Sequence, residues 1–298
     1  MIDPRFVERA EPEEVFAALS EEIRIAILRA LWTTDGPATF SALREAVGSP
    51  DSGRFNYHLD VLLDQFVTKT DDGYELTQAG KRINGAIEAG SYTTGVQLEP
   101  VRLEHPCRTC GGELSLSYED ETVTVGCGDC PTTAQFAVPP SAFSNCTREA
   151  IPRVASRYLQ ATFHRIDAGF CPYCDGSLQS TVETVADSKE AAAEAVPEEI
   201  ADVRDLPLAR YDCRRCGATY TAGLGIAFHQ HPTVIGFYRD RGEDVRKRLV
   251  WTLPSLDPDR ERVRSTDPFR ASVTFDCGDD RLTLTVDADL DVVDVDSS

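Results

Sequence analysis

Eight of the ten cysteines form four Cys-x-x-Cys pairs, and these pairs are the clearest chemical pattern in the chain. The first two pairs are separated by 16 residues. Four thiolates presented from two turns match the tetrahedral coordination that Zn²⁺ prefers, and they leave no open position for a substrate. The pattern therefore predicts a structural zinc site made by Cys107, Cys110, Cys127 and Cys130. The alternative, a pair of redox-active Cys-x-x-Cys motifs, is disfavoured because neither pair lies in a βαβ pattern.

The other two cysteine pairs repeat the pattern with a longer spacing. They are separated by 38 residues, which is long for one zinc ribbon. Residues 187–205 are rich in alanine and acidic residues, include Pro197, and look like an insertion at the tip of a hairpin. Loop closure costs little more for a longer loop, so the insertion is tolerable. We predict a second zinc site made by Cys171, Cys174, Cys213 and Cys216. Spacing alone leaves open a swapped pairing between the two sets.

Three further features could be ligands, but each has a simpler interpretation. Cys146 and Cys277 stand alone and are most simply buried apolar residues. His229 and His231 flank Gln230 and would make a third metal site if they found other ligands. Two histidines without a third partner more often lie at the surface or pack in a core. We therefore leave both out of the predicted metal sites.

Alternating apolar residues predict the strands that position these cysteines. One hairpin is expected within residues 113–125, and another is formed by residues 178–185 and 208–212. A helix is expected within residues 141–165, starting near Glu149 or Ala150, because Pro152 fits only in a first helical turn. This half also contains a predicted strand at 219–228 and a helix at 232–248 that is broken near Gly242. Four more strands are expected at 262–265, 271–277, 281–286 and 290–295.

The N-terminal third has a different pattern, with apolar residues at helical spacing. Helices are expected within residues 13–32, with a break near Ser20, and at 39–47, with Thr39 as the N-cap and Gly48 at the end. Residues 51–66 form a third helix, and residues 67–76 form a hairpin that turns at Asp71-Asp72-Gly73. A last helix begins near Thr77 and ends before Gly90. Three helices followed by a hairpin are typical of a winged helix-turn-helix.

The chain carries 50 acidic and 30 basic residues, a formal net charge of −20, with a hydrophobic fraction of 41%. That hydrophobic fraction argues against disorder, and an acidic surface with few lysines suggests adaptation to a salty cytosol. The acidity disfavours DNA binding at low salt. At molar salt the Debye length falls to about 3 Å, so local contacts decide. Because the chain lacks a signal-peptide pattern and a run of about 18 apolar residues, we expect a cytoplasmic protein.

Three segments resemble ArsR-type winged helix-turn-helix transcription regulators. FAALSEEIRIAILRAL at 16–31 resembles the first helices of that family, FNYHLDVL at 55–62 its recognition helix, and LTQAG at 76–80 the segment after the wing. The resemblance covers about residues 13–89 and implies a homodimer whose recognition helix enters the major groove of DNA. Family members that sense metals carry a cysteine pair in the helix before the recognition helix. Residues 39–47 contain no cysteine, so metal sensing there is not implied.

The resemblance and the free face of helix 51–66 together predict the residues that contact DNA. Arginine can bind guanine bidentately, and asparagine can bind adenine in the same way. Backbone N–H groups at the helix start could hold a phosphate, and a lysine on the hairpin could reach a phosphate or the minor groove. The alternative for each residue is a solvated surface position, or inward packing for Tyr57 and His58. The predicted contacts are Ser52, Arg54, Asn56, Tyr57, His58 and Lys69.

The sequence thus predicts an α+β protein of two domains. Residues 1–90 form a winged helix-turn-helix, 91–100 a linker, and 101–298 a zinc-binding α+β domain with ribbon-like units at 105–135 and 169–220 and a small sheet at 259–296. The whole layout resembles regulators from halophilic archaea. The predicted function is sequence-specific transcription regulation, with the C-terminal domain serving structure or contact with an effector or partner.

Two alternatives belong to other classes of function. One is an interaction protein of the basal transcription machinery, since archaeal transcription factor E also joins a winged helix to a zinc ribbon and need not read bases. The other is an enzyme with a winged-helix appendage. The enzyme is disfavoured because the chain shows no phosphate loop, nucleotide-binding glycine motif, nucleophile elbow or open metal site.

Overall fold

The computed structural model describes residues 11–130, 132–188 and 204–298, so most of the predicted insertion at 187–205, including Pro197, lies outside the described residues. The protein is of mixed α+β class, as predicted. It divides into two compact units, Met1–Thr94 and Gly95–Ser298. Among the described helices, none has the length and apolar character needed to cross a membrane.

Residues 11–94, the described part of the first unit, form five helices and one hairpin. In chain order these are α1 (Pro12–Ala17), α2 (Glu22–Thr33), α3 (Phe40–Val47), α4 (Ser52–Leu62), β1 (Val67–Thr70), β2 (Gly73–Leu76) and α5 (Gln78–Ala89). The two strands pair antiparallel, with Val67 opposite Leu76. Leucine and phenylalanine side chains from α2, α3 and α4 meet in one core with the base of the hairpin.

Local capping fixes where these helices begin and end. The Thr39 hydroxyl accepts the N–H of Ala42 at 3.3 Å, and the left-handed Gly48 closes α3, as predicted. Helix α4 is shorter than predicted: it ends at Leu62 instead of residue 66. Asp64 adopts a left-handed φ of 65°, and its N–H donates to the carbonyl of Val67 at 2.9 Å, so the chain turns into the hairpin before another helical turn can form.

The second unit opens with a four-stranded antiparallel sheet. It consists of β3 (Leu98–Arg102), β4 (Leu114–Glu119), β5 (Thr122–Cys127) and β6 (Thr133–Ala137), in that spatial order. The predicted hairpin is the β4–β5 pair, in which Leu116 lies opposite Val125. Strand β3 includes residues 98–100, which we had assigned to the linker.

A 17-residue helix, α6 (Ile151–Asp167), starts where Pro152 requires and connects two hydrophobic cores. Its first half packs beside the first sheet through Ile151 and Ala155. Its second half contributes Leu159 and Phe163 to the larger core of the unit. The helix therefore holds the first sheet and the remaining elements of this unit in one body.

The larger core is closed by two more antiparallel sheets and two short helices. The three-stranded sheet contains β7 (Leu178–Thr184), β8 (Pro207–Cys213) and β9 (Thr219–Gly223). The helices are α7 (Leu224–Ala227) and α8 (Pro232–Asp240). The four-stranded C-terminal sheet contains β10 (Glu261–Thr266), β11 (Phe269–Cys277), β12 (Asp280–Val286) and β13 (Val292–Ser297). The strand predicted at 219–228 is wrong beyond Gly223, where α7 begins.

A buried carboxylate explains that change from strand to helix. Glu261 is 7% exposed and accepts the backbone N–H groups of Leu224 at 3.0 Å and Gly225 at 2.7 Å. Those two groups lie in the first turn of α7, where N–H groups have no partner inside the helix. Burial raises the pKa of Glu261 to about 7, although both hydrogen bonds act in the opposite direction.

The raised pKa predicts how pH changes stability. Between about pH 4.5 and 7 the folded protein keeps a proton on Glu261 that the unfolded chain has released, so the contribution of this residue falls as pH rises. The loss should total about 3 kcal/mol and be complete above pH 7. Denaturant unfolding of the parent and of Glu261→Gln should show the parent losing stability relative to the variant across this window. Parallel pH profiles would contradict the prediction.

Candidate metal centres and the exposed face of helix α4

The four Cys-x-x-Cys pairs gather into two clusters of four thiols, and in each cluster all sulfur ligand atoms lie within 4.8 Å of one another. The first cluster holds Cys107, Cys110, Cys127 and Cys130, and the second holds Cys171, Cys174, Cys213 and Cys216. The thiols are therefore grouped as in the two predicted sets, and the swapped pairing that spacing left open is not observed. Hairpin register explains the result, because Leu114 pairs with Cys127 across one hairpin and Leu178 pairs with Cys213 across the other.

The distances between sulfurs fit a tetrahedral metal ion. The Sγ atoms of Cys107 and Cys130 are 3.8 Å apart, and those of Cys110 and Cys127 are 3.5 Å apart. The second cluster repeats both values, 3.8 Å and 3.5 Å. Zn–S bonds of about 2.3 Å place the sulfurs of a tetrahedral site about 3.8 Å apart. A disulfide needs about 2.05 Å, and all the cysteines are free thiols. Each cluster could therefore hold one metal ion.

A shared backbone turn presents the thiols at three of the four pairs. At Cys107 the N–H donates to the carbonyl of Gly112, and the carbonyl accepts the N–H of Gly111. The turns that begin at Cys171 and Cys213 make the same two hydrogen bonds. The residue after the second cysteine has a left-handed φ in each case: 77° at Gly111, 57° at Asp175 and 75° at Gly217. Such a φ favours glycine and is tolerated by aspartate, so the sequence of each turn matches its conformation.

Backbone N–H groups also point at the sulfurs. The N–H of Gly112 lies 3.4 Å from the Cys110 Sγ, and the N–H of Asp129 lies 3.4 Å from the Cys127 Sγ. Burial raises the pKa of the Cys107 thiol, but neighbouring N–H groups and thiols outweigh burial and lower that pKa to about 6. The N–H of Gly112 lowers the pKa of Cys110, but the neighbouring thiols outweigh it and raise that pKa to about 12. The thiolate, which is the metal-binding form, is therefore favoured at Cys107.

Three side-chain hydroxyl groups lie next to the cysteine sulfurs or next to a group that contacts them. The Cys130 Sγ lies 3.1 Å from the Thr132 hydroxyl, which is 3.0 Å from the Thr109 hydroxyl. In the second cluster the Tyr220 hydroxyl lies 3.6 Å from the Cys171 Sγ. Sequence reasoning missed these three residues. The signal available for Thr132 was its position two residues after Cys130, whereas Tyr220 had no local signal.

The residues left out of the predicted metal sites lie elsewhere. Cys277 is buried in the C-terminal sheet, as predicted, and Cys146 is half-buried. His229 is 1% exposed, and its Nδ1 lies 2.5 Å from the carbonyl of Ile226. The Nδ1 of His231 accepts the N–H of Thr233 at 3.3 Å at the start of α8. Neither histidine joins a group of potential metal ligands within the described ranges.

Helix α4 exposes four of the residues predicted to contact DNA, including Ser52 at its start. Arg54 and Asn56 are exposed, and 63% of Tyr57 is accessible. The Asn56 side chain donates to the Asp60 carboxylate at 2.7 Å, one helical turn later. On the hairpin, the ammonium of exposed Lys69 lies 5.8 Å from the centre of the Tyr74 ring. The DNA contacts of these residues stay predictions.

Two details of α4 differ from the expectation. His58 was placed on the free face, but the structure buries it to 6% exposure among the core-facing residues of the helix. Burial, and then the charges of Arg24 and Arg54, lower its pKa. Its ring meets the Tyr57 ring edge-on at a centroid distance of 5.2 Å. His58 therefore supports Tyr57 and does not lie on the exposed surface.

At the start of α4, two backbone N–H groups that were expected to be free are already hydrogen-bonded. The Asp51 carboxylate accepts the N–H groups of Gly53 at 2.8 Å and Arg54 at 3.0 Å. These hydrogen bonds lower the pKa of Asp51, so the carboxylate is charged at neutral pH. The expectation that free N–H groups beside Ser52 hold a phosphate is therefore wrong for these two groups. A phosphate here would meet a negative charge.

Two family models match the chain, one in each unit. A domain of unknown function (DUF7347) covers residues 12–87, which contain α1 to α4, the hairpin and most of α5. A second domain of unknown function (DUF7351) covers residues 104–292, which contain both four-cysteine clusters and most of the C-terminal sheet. No curated protein and no solved structure matches the chain. Because the second match spans well over half of the sequence, the chain belongs to the DUF7351 family.

Proposed function

We propose that the protein is a sequence-specific DNA-binding transcription regulator. The observation that carries the proposal is the exposed face of α4, where Arg54, Asn56 and Tyr57 stand together on a helix whose other face is buried. A helix anchored in this way can enter the major groove as a rigid element. The resemblance of residues 13–89 to ArsR-type regulators supports the same function.

The arrangement of the first unit supports a winged helix-turn-helix. Helices α3 and α4 are joined by the short segment 48–51, and the β1–β2 hairpin follows α4 directly. We assign α4 as the recognition helix and the hairpin as the wing. In this assignment Arg54 and Asn56 reach base edges, Tyr57 packs against a sugar or a thymine methyl group, and Lys69 contacts a phosphate from the wing.

The local charge of α4 is compatible with DNA even though the chain is acidic. Arg54 is exposed near the start of the helix, but Asp51 and Asp60 bring negative charge to the same helix. Binding should therefore rest on a few short contacts and should persist at high salt, where the repulsion between the net charge and DNA is screened. DNA affinity is best measured at molar KCl for this reason.

We also propose that each four-cysteine cluster holds one structural zinc ion, which makes each cluster with its strands a zinc ribbon. The tetrahedral sulfur distances and the N–H groups that point at sulfur support zinc over a catalytic metal, because four thiolates leave no position for substrate. In this proposal zinc fixes the second unit, which serves as a scaffold or contacts another molecule.

Replacing Arg54 tests the proposed base contact. We expect Arg54→Ala to bind its best duplex site about 5 to 150 times more weakly, since a bidentate arginine–guanine contact discriminates by about 1–3 kcal/mol. The loss should be largest for sites with guanine at one fixed position. Fluorescence anisotropy with duplexes selected from a random library would measure it. Arg44→Ala, on α3, is a matched arginine control, and equal affinity and selectivity of Arg54→Ala and the parent would remove Arg54 from the interface.

Genome-wide occupancy of the tagged protein tests the function as a whole. Sharp sites that share a palindromic motif would support a specific regulator that binds as a homodimer. Broad occupancy of active promoters without a motif would instead favour a basal-transcription role.

A further inference from the structure

A basic helix stands out in this acidic chain. Helix α6 exposes Arg153, Arg157 and Arg165, and Asp167 at its end is its one acidic residue. Within the parts of the chain that the structure describes, no carboxylate lies within ion-pair distance of Arg153 or Arg157. Arg165 pairs with Asp175, in the first turn of the second four-cysteine cluster. Arg165 therefore places a positively charged side chain beside that cluster.

Exposed aromatic rings lie at the same place. Tyr173, between Cys171 and Cys174, is 72% exposed and stacks on Tyr220 with a centroid distance of 5.8 Å and an interplanar angle of 28°. Tyr220 in turn places its hydroxyl 3.6 Å from the Cys171 sulfur. Phe170, the residue before Cys171, is 53% exposed. The four-cysteine cluster thus holds the Tyr220 ring in place. Tyr173 stacks on one side of that ring and exposes its own other face to solvent.

Tyr158 links the helix to these rings. It follows Arg157 on α6 and is 36% exposed. Arg165 lies about two helical turns after Tyr158, on the same face of α6. Burial raises the pKa of Tyr158, Arg165 lowers it, and Glu121 and Tyr173 raise it further. We name this set, formed by Tyr158, Phe170, Tyr173, Arg157 and Arg165, the aromatic–arginine surface.

The side chains of this surface indicate the chemical class of the ligand that it binds. Exposed aromatic faces bind nucleobases by stacking, and arginines beside them bind the phosphates between the bases. A duplex hides its base faces, so the rings need unpaired bases. An acidic peptide would satisfy the arginines but would bring few flat groups to the rings. We propose that the aromatic–arginine surface binds single-stranded DNA, the choice of DNA over RNA resting on the function proposed above.

The two nearby acids limit the electrostatic part of the interaction. Asp175 is paired with Arg165, and Glu121 is close enough to act on Tyr158. We therefore expect at most two phosphate contacts, from Arg157 and Arg165, and a slope of log affinity against log salt no steeper than about −1.4. Stacking is less sensitive to salt than phosphate contacts are, so the rings should carry the binding in concentrated KCl.

The test uses the full-length, zinc-loaded protein and fluorescently labelled dT15, with anisotropy measured across a series of KCl concentrations. We expect the parent to bind, Tyr173→Ala to bind about tenfold or more weakly, and Tyr173→Phe to bind like the parent because it keeps the ring. Arg157→Ala should reduce the salt slope by about 0.7. Tyr92→Ala, at an 83% exposed tyrosine of the other unit, is the matched control and should leave binding unchanged.

Several outcomes would overturn the proposal. These are no binding of dT15 by the parent, equal binding by Tyr173→Ala with its zinc content intact, tighter binding of rU15 than of dT15, or displacement of dT15 by an equal concentration of a glutamate 15-mer. Arg54→Ala separates this proposal from the function of α4. If Arg54→Ala and the parent show no specific duplex site but still bind dT15 through Tyr173, the proposed regulator fails while single-strand binding holds.

Discussion

The Cys171→Ser protein is expected to bind one zinc ion per chain where the parent binds two. Its second unit should lose about 5 kcal/mol or more of unfolding free energy, because structural zinc contributes about 10–16 kcal/mol of apparent binding free energy. Cys171 is fully buried, so the serine hydroxyl would replace a metal ligand in a place that water does not reach. Zinc content by mass spectrometry under native conditions and thermal unfolding at molar KCl would measure both effects.

The chain offers its own control for this experiment. Cys146 is a half-buried thiol outside both clusters, and its Sγ lies 3.2 Å from the carbonyl of Phe143. Cys146→Ser should keep two zinc ions and a melting temperature close to that of the parent. Cys107→Ser should reproduce the loss of one zinc ion at the other cluster. If Cys171→Ser retained both ions and melted with the parent, the second cluster would not be a metal site.

Pairing of the cysteines illustrates what the sequence could and could not predict. The four Cys-x-x-Cys turns were visible from spacing, since a metal ligand set requires that local pattern. Which turns would meet depended on strand register, and the register follows from alternating apolar residues in each hairpin. Both hairpins were predicted, so the observed pairing agrees with the simplest combination of the two patterns. The Tyr220 hydroxyl was unforeseeable because it comes from a third strand.

His58 shows a different kind of error. It lies three residues after Phe55 and four before Leu62, and that spacing places it on the buried face of α4. The prediction placed it on the free face and left inward packing as the alternative, and the structure shows the alternative. The early end of α4 at Leu62 is a further case, since Leu63 and Phe66 continue the apolar spacing of the helix. The left-handed Asp64 that ends the helix is a single-residue feature, which a period of 3.6 residues does not reveal.

Long-range contacts account for the remaining differences. Glu261 stops β9 and starts α7 although 36 residues separate it from Gly225. No local pattern marks a glutamate as the cap of a distant helix, and its charge favours an exposed position on average. The aromatic–arginine surface has the same origin, because Tyr158 lies on α6, Tyr173 lies in the Cys171 turn, and the Tyr220 ring on which Tyr173 stacks lies on β9.

Phe55→Ala is expected to lower the unfolding free energy of the first unit by about 3–5 kcal/mol. Phe55 is fully buried on the inner face of α4, and its ring meets the Phe40 ring edge-on at a centroid distance of 5.2 Å and an angle of 80°. Truncating a buried phenylalanine costs about 3–5 kcal/mol, through lost apolar burial and the cavity that remains. Folded domains have an unfolding free energy of about 5–15 kcal/mol in total, so this loss is a large fraction of it and weakens the anchoring of the proposed recognition helix.

The readouts of Phe55→Ala should separate the two units. Zinc content should stay at two ions per chain, since all eight clustered thiols lie in the unit Gly95–Ser298. Specific duplex binding should disappear, whereas dT15 binding through Tyr173 should remain. Tyr57→Ala, next to Phe55 but 63% exposed, should change stability by no more than about 0.5 kcal/mol while still weakening duplex binding. A Phe55→Ala protein with the stability of the parent would mean that α4 is held by other contacts, and the buried face described here would not be its anchor.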